Sequence, residues 1–372
     1  MKVLRLFLLP FAFLAVGLVK LLSRCGVMIR FGEFWSERIG HLAGNTEVYL
    51  CEKDAGIHKG FHVWFHRSHI TNKYLAKMLS RVMWIDRTGL ARLIVLLLQL
   101  WKGWEKHIVA SVQVDRDIFN LFEKHPPHLK FTAAEEKRGE TWLQAQGIKG
   151  KFVCFNVRDG AFFTDRPELS YHDYRDSEIE TYVPAMLDLA KRGYWVIRMG
   201  AKVKKPLPIQ HSMILDYAHN GTRSEFMDIY LGAKCDFAVS TGAGWDAIPY
   251  VFRKPICYVN FVPVEYLFTF TKSVAVWKHH WKDGKRMTLD EMWASGCGNF
   301  MQADQFKEAG ITLVDNTWQE IMDTVLEMVE PSIEDQAWFW EKFPRAFTPY
   351  NRQPIHGEIR MRIGTEFLKG YQ

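Results

Sequence analysis

A parallel, doubly wound α/β sheet is the fold class this sequence predicts, and three observations predict it. From about residue 150 onward, short apolar runs alternate with amphipathic helical segments. The runs are rich in β-branched and aromatic residues: KFVCFNV (151–157), YWVIRMG (194–200), DFAVS (236–240) and PICYV (255–259). Finally, the small-residue loop STGAG (240–244) joins one such strand to the next helix, where open α/β sheets bind ligands. With 372 residues, 48% of them hydrophobic, the chain is long enough for two domains with sizeable cores.

The chain opens on LRLFLLPFAFLAVGLVKLLS (4–23), nearly all apolar, with Lys2 and Arg5 ahead of it and Lys20 and Arg24 at its end. The following LLSRC offers no small-residue cleavage site, which argues against a secretory signal. A membrane span, an anchor lying in the interface and a buried helix all stay open; Pro10 and Lys20 weaken the span. VMIRF (27–31) then predicts a strand, GEFWSER a loop, and IGHLAGNTE a helix start. EVYLCE (47–52) reads as a short strand, FHVWFHR (61–67) as an alternating strand, and ITNKYLAKMLSRV (70–82) as a helix. LARLIVLLLQLWKGWEK (90–106) is either a core helix or a second membrane-contacting surface, since Trp101 and Trp104 beside lysines suit an interface.

HPPH (125–128) marks a domain boundary. Thr132 and Glu135 form a capping-box pattern opening a helix to about Gln146. Further helices are expected at 178–193, 224–234, 246–252, 288–295 and 317–329, with a strand at 311–316. The expected division is an apolar membrane-associating helix (1–24), a first domain (25–130), a second domain (131–330) and a C-terminal helical segment (331–372) packing back across the domains.

Net charge is +6, with no dense Lys/Arg run, so no nucleic-acid partner is expected. A mild basic excess suits an anionic membrane surface or phosphorylated ligands. The six cysteines include no C-x-x-C pair and read as reduced thiols of a cytoplasmic protein.

Ser240, Thr241, Gly242, Ala243 and Gly244 lie at a strand's carboxyl end and a helix's amino end, where free N–H groups meet a ligand and glycines let a phosphate approach. The expected ligand is a diphosphate held without a metal. Arg158, Arg198 and Lys202, all just past strand ends, are the candidate cations for its charge.

RSEFMDIYLGAKCDFAVSTGAGWDAIPYVFRKPICYV resembles the donor-binding half of GT-B glycosyltransferases, with Cys235-Asp236, Ser240-Thr241-Gly242 and Arg253-Lys254-Pro255 at the matching places. The ribose-holding Glu of many such enzymes falls here on Ile248; the resemblance leaves Asp246 to replace it, or Trp245 to stack on the base. FVCFNVRDGAFF, YRDSEIETYVPAMLDLAKRGYWVIRMG and RFGEFWSERIGHLAGNTEVYLCE resemble a narrower family of bacterial GT-B glycosyltransferases found with surface-polysaccharide synthesis (lipopolysaccharide, capsule). A looser likeness, to fucosyltransferases using a GDP-sugar, puts Arg158 on the donor diphosphate. The resemblance implies two Rossmann-like domains, acceptor-side at 25–130 and nucleotide-sugar-binding at 131–330, with His41 facing the interdomain cleft as general base and Asp159 and Glu37 as the other candidate bases.

The implied reaction is metal-independent transfer of a sugar from a nucleotide sugar to a lipid-linked or surface-glycan acceptor, at the cytoplasmic face of the inner membrane. No cofactor is expected. A nucleotide-sugar 2-epimerase and a non-catalytic, membrane-attached glycan-binding protein are the alternatives. Asp115-Arg116-Asp117, a lone D-x-D, reads as a helix start. His58, His62, His66 and His69 have helical metal-ligand spacing, but HVWFHR reads as a strand, which breaks that geometry.

Overall fold

The structure, a computed structural model, describes residues 2–109, 116–161, 172–332, 334–347 and 354–372. The chain divides into two compact units, residues 1–115 with 121–130, and residues 116–120 with 131–372.

The first unit runs α1 (Lys2–Arg24), β1 (Ile29–Phe34), α2 (Thr46–Asp54), β2 (Phe61–His66), α3 (Lys73–Leu79), β3 (Ile85–Asp86) and α4 (Leu90–Leu98). Its sheet has the order β1-β2-β3 and is parallel. Ile108 bridges Phe31 on the far side of β1, giving that strand neighbours on both flanks. Strand alternation sorts the core. Ile29, Phe31, Val63 and Phe65 join Ala12, Val16 and Val19 of α1 and Ala91, Ile94 and Leu98 of α4 in one apolar cluster. On β2, His62 and Trp64 instead meet Tyr49 of α2.

Two expectations change here. Residues 47–52 are not a strand; they form most of α2, which continues a π-turn at His41–Asn45. Short apolar runs do not by themselves distinguish strand from buried helix, and Thr46 through Glu52 are all buried. The helix expected over 90–106 ends at Leu98, and Trp104–His107 form a separate 3₁₀ turn beyond Gly103, which has φ 81°.

The second unit contains α5 (Ala133–Ala145), β4 (Phe152–Asn156), α6 (Val183–Lys191), β5 (Trp195–Arg198), β6 (Ile214–Asp216), α7 (Glu225–Lys234), β7 (Phe237–Ser240), α8 (Ala247–Val251) and β8 (Ile256–Phe261). These are followed by β9 (Val274–Trp277), β10 (His279–Lys282), β11 (Lys285–Arg286), α9 (Leu289–Ser295), α10 (Ala303–Glu308), β12 (Ile311–Val314), α11 (Trp318–Leu326), α12 (Ala337–Lys342), β13 (Arg362–Ile363) and α13 (Thr365–Lys369). The capping box at Thr132 and Glu135 opens α5 as the sequence predicts.

Seven parallel strands form the main sheet, in the order β13-β9-β8-β7-β4-β5-β6. The chain starts at β4, moves out to β6, then crosses back to β7 on the other side. The order therefore reverses between β4 and β7, and their carboxyl ends border the crevice that such a reversal opens. The run 311–316 does not extend this sheet: β12 pairs antiparallel with β10 in a small second sheet, β11-β10-β12. The C-terminal segment belongs to this unit and adds β13 beside β9.

Candidate active site

The crevice between β4 and β7 is built by two adjacent loops. After β7, Thr241 Oγ1 accepts the Arg158 N–H at 3.2 Å, and Ser240 Oγ donates to the Asn156 carbonyl at 3.2 Å. The two strand ends are thus tied together. Gly242 has φ 78°, and a Cβ there would lie 2.8 Å from the Phe261 ring. The bare backbone is accounted for by a left-handed turn against an aromatic ring. Ala243 is half-buried and Gly244 exposed, so the backbone of this stretch is open to a ligand.

The helix after the loop is shorter than the sequence suggests. A 3₁₀ turn at Gly244–Asp246 leads into the five residues of α8. A helix this short carries a weak dipole, so cationic side chains must supply most of any phosphate binding. Trp245 is turned into the core: its indole N–H donates to the Asp228 carbonyl at 2.9 Å, and it packs beside Gly232. It offers no face for a base. Asp246, 1% exposed, is hydrogen-bonded by Ser240 Oγ. Burial pushes its carboxyl up to about 7, against the pull of the Ser240 hydrogen bond and the Arg175 charge. It is a core acid and not a ribose ligand. Ile248, where a ribose-binding Glu would stand, is fully buried.

Arg158 reaches over the β4 edge, its Nε 2.9 Å from Asp176 Oδ1. A second arginine, Arg175, donates to the Gly242 carbonyl. Burial raises the Asp176 carboxyl above its ordinary range, although Arg158 opposes the shift. A carboxylate that is costly to keep charged therefore holds Arg158 at the β4 end, while Arg175 is held at the β7 end by the loop backbone. A diphosphate could replace that carboxylate with more oxygens and more charge. Lys202, beyond β5, is exposed.

Arg198 and Asp159 have a different role. Arg198 is 1% exposed; its Nη1 lies 2.7 Å from the Lys205 carbonyl and 3.4 Å from Asp216 Oδ2, and its Nη2 lies 3.7 Å from Asp159 Oδ2. Asp159 also accepts the Ala161 N–H at 3.1 Å and the Lys204 N–H at 2.7 Å. This cluster pins the loops after β4 and β5. Arg198 has no surface to offer a phosphate, and both Asp159 oxygens are already occupied by backbone donors.

Sequence reasoning missed the residues that finish the edge. Asn260, with φ 54° at the end of β8, accepts the Asn316 N–H and donates to Ser177 Oγ at 2.8 Å and Tyr182 OH at 3.0 Å. Ser177 donates to Asp315 at 2.9 Å; the buried Lys278 bridges Asp315 at 2.8 Å and the Asp176 carbonyl at 2.5 Å. Arg175, Asp176 and Ser177 stand in the quoted YRDSE block. Their one local signal was an Arg-Asp pair directly before a helix.

In the first unit, His41 opens the π-turn that leads into α2. It is half-buried, edge-on to the Trp35 ring at 4.7 Å, with Nδ1 3.5 Å from Asn45 Oδ1. A small pocket joins it to Glu33, Trp35, Asn45 and Trp64 at the carboxyl end of β1. π-turns recur at functional positions. Glu37 is exposed, 3.8 Å from Nη1 of Arg67, whose Nε lies 3.3 Å from Glu33 Oε2.

The weaker signals resolve structurally. His62 sits on a strand between Tyr49 OH and the Lys59 carbonyl, and His58 pairs with Glu52 at 2.6 Å. Asp115 lies outside the described residues; Arg116 donates to the Tyr266 carbonyl at 2.6 Å.

No protein-family model matches the chain, and no curated protein matches it. Among solved structures, the family 9 glycosyl transferase of Veillonella parvula DSM 2008 aligns over 82% of this chain and 98% of its own, with TM-score 0.50 at 9% identity. The chain shares that fold. The ADP-heptose lps heptosyltransferase II of E. coli aligns over 69% of this chain and 92% of its own, with TM-score 0.39 at 11% identity.

Proposed function

We propose that the protein is a GT-B glycosyltransferase that moves a sugar from a nucleotide-sugar donor to a lipid-linked or surface-glycan acceptor. One observation carries this reading: Arg158 and Arg175 meet the Ser240–Gly244 loop at the point where the strand order of the seven-stranded sheet reverses. The fold shared with a glycosyl transferase supports it. In this mechanism the donor diphosphate displaces Asp176 from Arg158 and takes hydrogen bonds from the loop backbone. Lys202 adds charge from the β5 side. As the glycosidic bond to the donor breaks, the arginines stabilise the leaving diphosphate without a metal. His41 takes the proton of the acceptor hydroxyl.

The reading includes a peripheral site at the cytoplasmic face of the inner membrane. By length and composition α1 is long and apolar enough to span a bilayer. Its Ala12, Val16 and Val19 stripe, however, is buried against α4 and the sheet. Phe11, Phe13, Leu14, Leu18 and Leu21 stay exposed, as do Leu96 and Leu100 at and just beyond α4, and Lys20 lies over the Trp101 ring. An apolar face rimmed by lysine and tryptophan suits a helix lying in the interface.

The test is a thermal-shift screen against UDP-, GDP-, dTDP- and CMP-sugars, with and without EDTA. One nucleotide class should raise the melting temperature by the same increment in both conditions, and Arg158→Ala should lose that increment. His41→Ala should keep it while abolishing transfer. No increment from any sugar nucleotide, or one untouched by Arg158→Ala, would overturn the donor site.

A further inference from the structure

We propose that Glu47, Cys51 and His128 form a binding site for a zinc-type divalent ion in the first unit. This inference does not rest on the proposed function, and it departs from the sequence expectation that no metal is held. Glu47 and Cys51 stand four residues apart on α2 and share a helix face. His128 is delivered to that face by the loop after Pro126 and Pro127.

The three donor atoms lie within 4.8 Å of one another. Glu47 Oε1 is 3.2 Å from His128 Nδ1 and 3.9 Å from Cys51 Sγ. Ligands 2.0–2.3 Å from a tetrahedral zinc sit roughly 3.3–3.8 Å apart, so small side-chain movements would close the set. The donors are a carboxylate, a thiol and an imidazole, the mixture zinc favours and magnesium or calcium does not.

Two further features separate this set from a chance encounter. Glu47 and Cys51 are 1% and 0% exposed, so their donor atoms converge inside the unit and not on a solvated surface. The other imidazole nitrogen, His128 Nε2, lies 3.0 Å from Asp54 Oδ2. A carboxylate behind a ligating histidine fixes its ring and tautomer and strengthens it as a ligand. His128 and Asp54 also border a cleft of about 390 Å³, so the histidine side of the set faces solvent while Glu47 and Cys51 lie behind it.

The full-length protein, stripped with a chelator, is titrated with Co²⁺ and then Zn²⁺. One Co²⁺ per chain should bind and give a thiolate-to-cobalt charge-transfer band, which Zn²⁺ then displaces. Cys51→Ser should remove the band. His128→Ala should weaken binding more than roughly 100-fold, and Asp54→Asn, which removes only the supporting carboxylate, by roughly 10- to 100-fold. Failure of the wild-type protein to take up either ion overturns the site, as does uptake without a thiolate band. If Cys51→Ser does not fold, the half-exposed His128→Ala decides: unchanged affinity in that variant overturns the proposal.

Discussion

The two units solve the same problem, a parallel sheet that needs both faces covered, with very different amounts of material. In the second unit an open seven-stranded sheet buries its central strands: β4, β7 and β8 are buried along their whole length, and the carboxyl edge is tied by Arg158–Asp176, Arg198–Asp159 and Lys278–Asp315. In the first unit three strands are covered on one face by α1 and α4, whose outer surfaces remain apolar. The surplus of the second unit is charge held in pairs. The surplus of the first is hydrocarbon left in water. Charge in pairs suits an anionic ligand that can exchange partners. Exposed hydrocarbon suits an apolar phase outside the chain.

The largest effect expected from this contrast lies within α1 itself. Val16 is 2% exposed and Leu14 73% exposed. Val16→Asp buries an unpaired carboxylate against α4 and should cost the first unit about 3 kcal/mol or more, read as loss of its thermal transition. Leu14→Asp should leave that transition in place and lower partitioning onto anionic vesicles by roughly 10- to 100-fold, the equivalent of one buried leucine. If both variants lower stability alike, the outer face of α1 is part of a protein core and the interfacial reading fails.

A matched pair of glycines sharpens the comparison at smaller cost. A Cβ at Gly139 in α5 would stand 2.1 Å from the Tyr230 ring, which is itself packed on Phe226 and Phe131. Gly139→Ala should therefore lose about 1–3 kcal/mol in urea unfolding. Gly17 in α1 has nothing within 4 Å of its Cβ position. There the same substitution should gain up to about 1 kcal/mol of helix propensity. The opposite signs would confirm that α5 is locked between layers while this face of α1 is not.

How much of this was legible in the sequence follows from how local each feature is. The β4-to-β8 alternation and the STGAG loop could be read because each strand and turn lies within a few consecutive residues. The capping box at Thr132 could be read for the same reason. The helix at 47–52 could not, because its direction was set by a π-turn upstream and by burial on every side. Trp245 and Asp246 were drawn toward a ligand by their place beside the glycines. Only the packing of α7 against the loop shows that both point inward. Arg198 shared with Arg158 its position past a strand end; what separates them is Asp216 and Lys205, brought in by β6 and its preceding loop, which the alternation did not reveal. Arg175 depends on the return of the loop before α6 to the β7 edge, a long-range contact with no periodic signature.

The smallest effect concerns the charge that the second unit keeps out of solvent. Burial raises Asp246 and Glu265 to about 7 and lowers His280 and His356 to about 4. The two acids contribute stability that is fully present below about pH 4 and is lost as pH rises through 7. The two histidines contribute stability that is present above about pH 6.5 and is lost as pH falls through 4. Between about pH 4 and 6.5 these slopes oppose each other, two against two, so the summed contribution of these four groups is nearly flat there. Asp246→Asn removes one falling slope of about 1.4 kcal/mol per pH unit. Its melting temperature minus that of the wild type should then increase by roughly 3–5 °C from about pH 5 to pH 6. A constant difference would mean that Asp246 is already ionised beside Arg175. The loop after β7 would then carry a buried negative charge, and a diphosphate would have to compete with it for Arg175 as it does with Asp176 for Arg158.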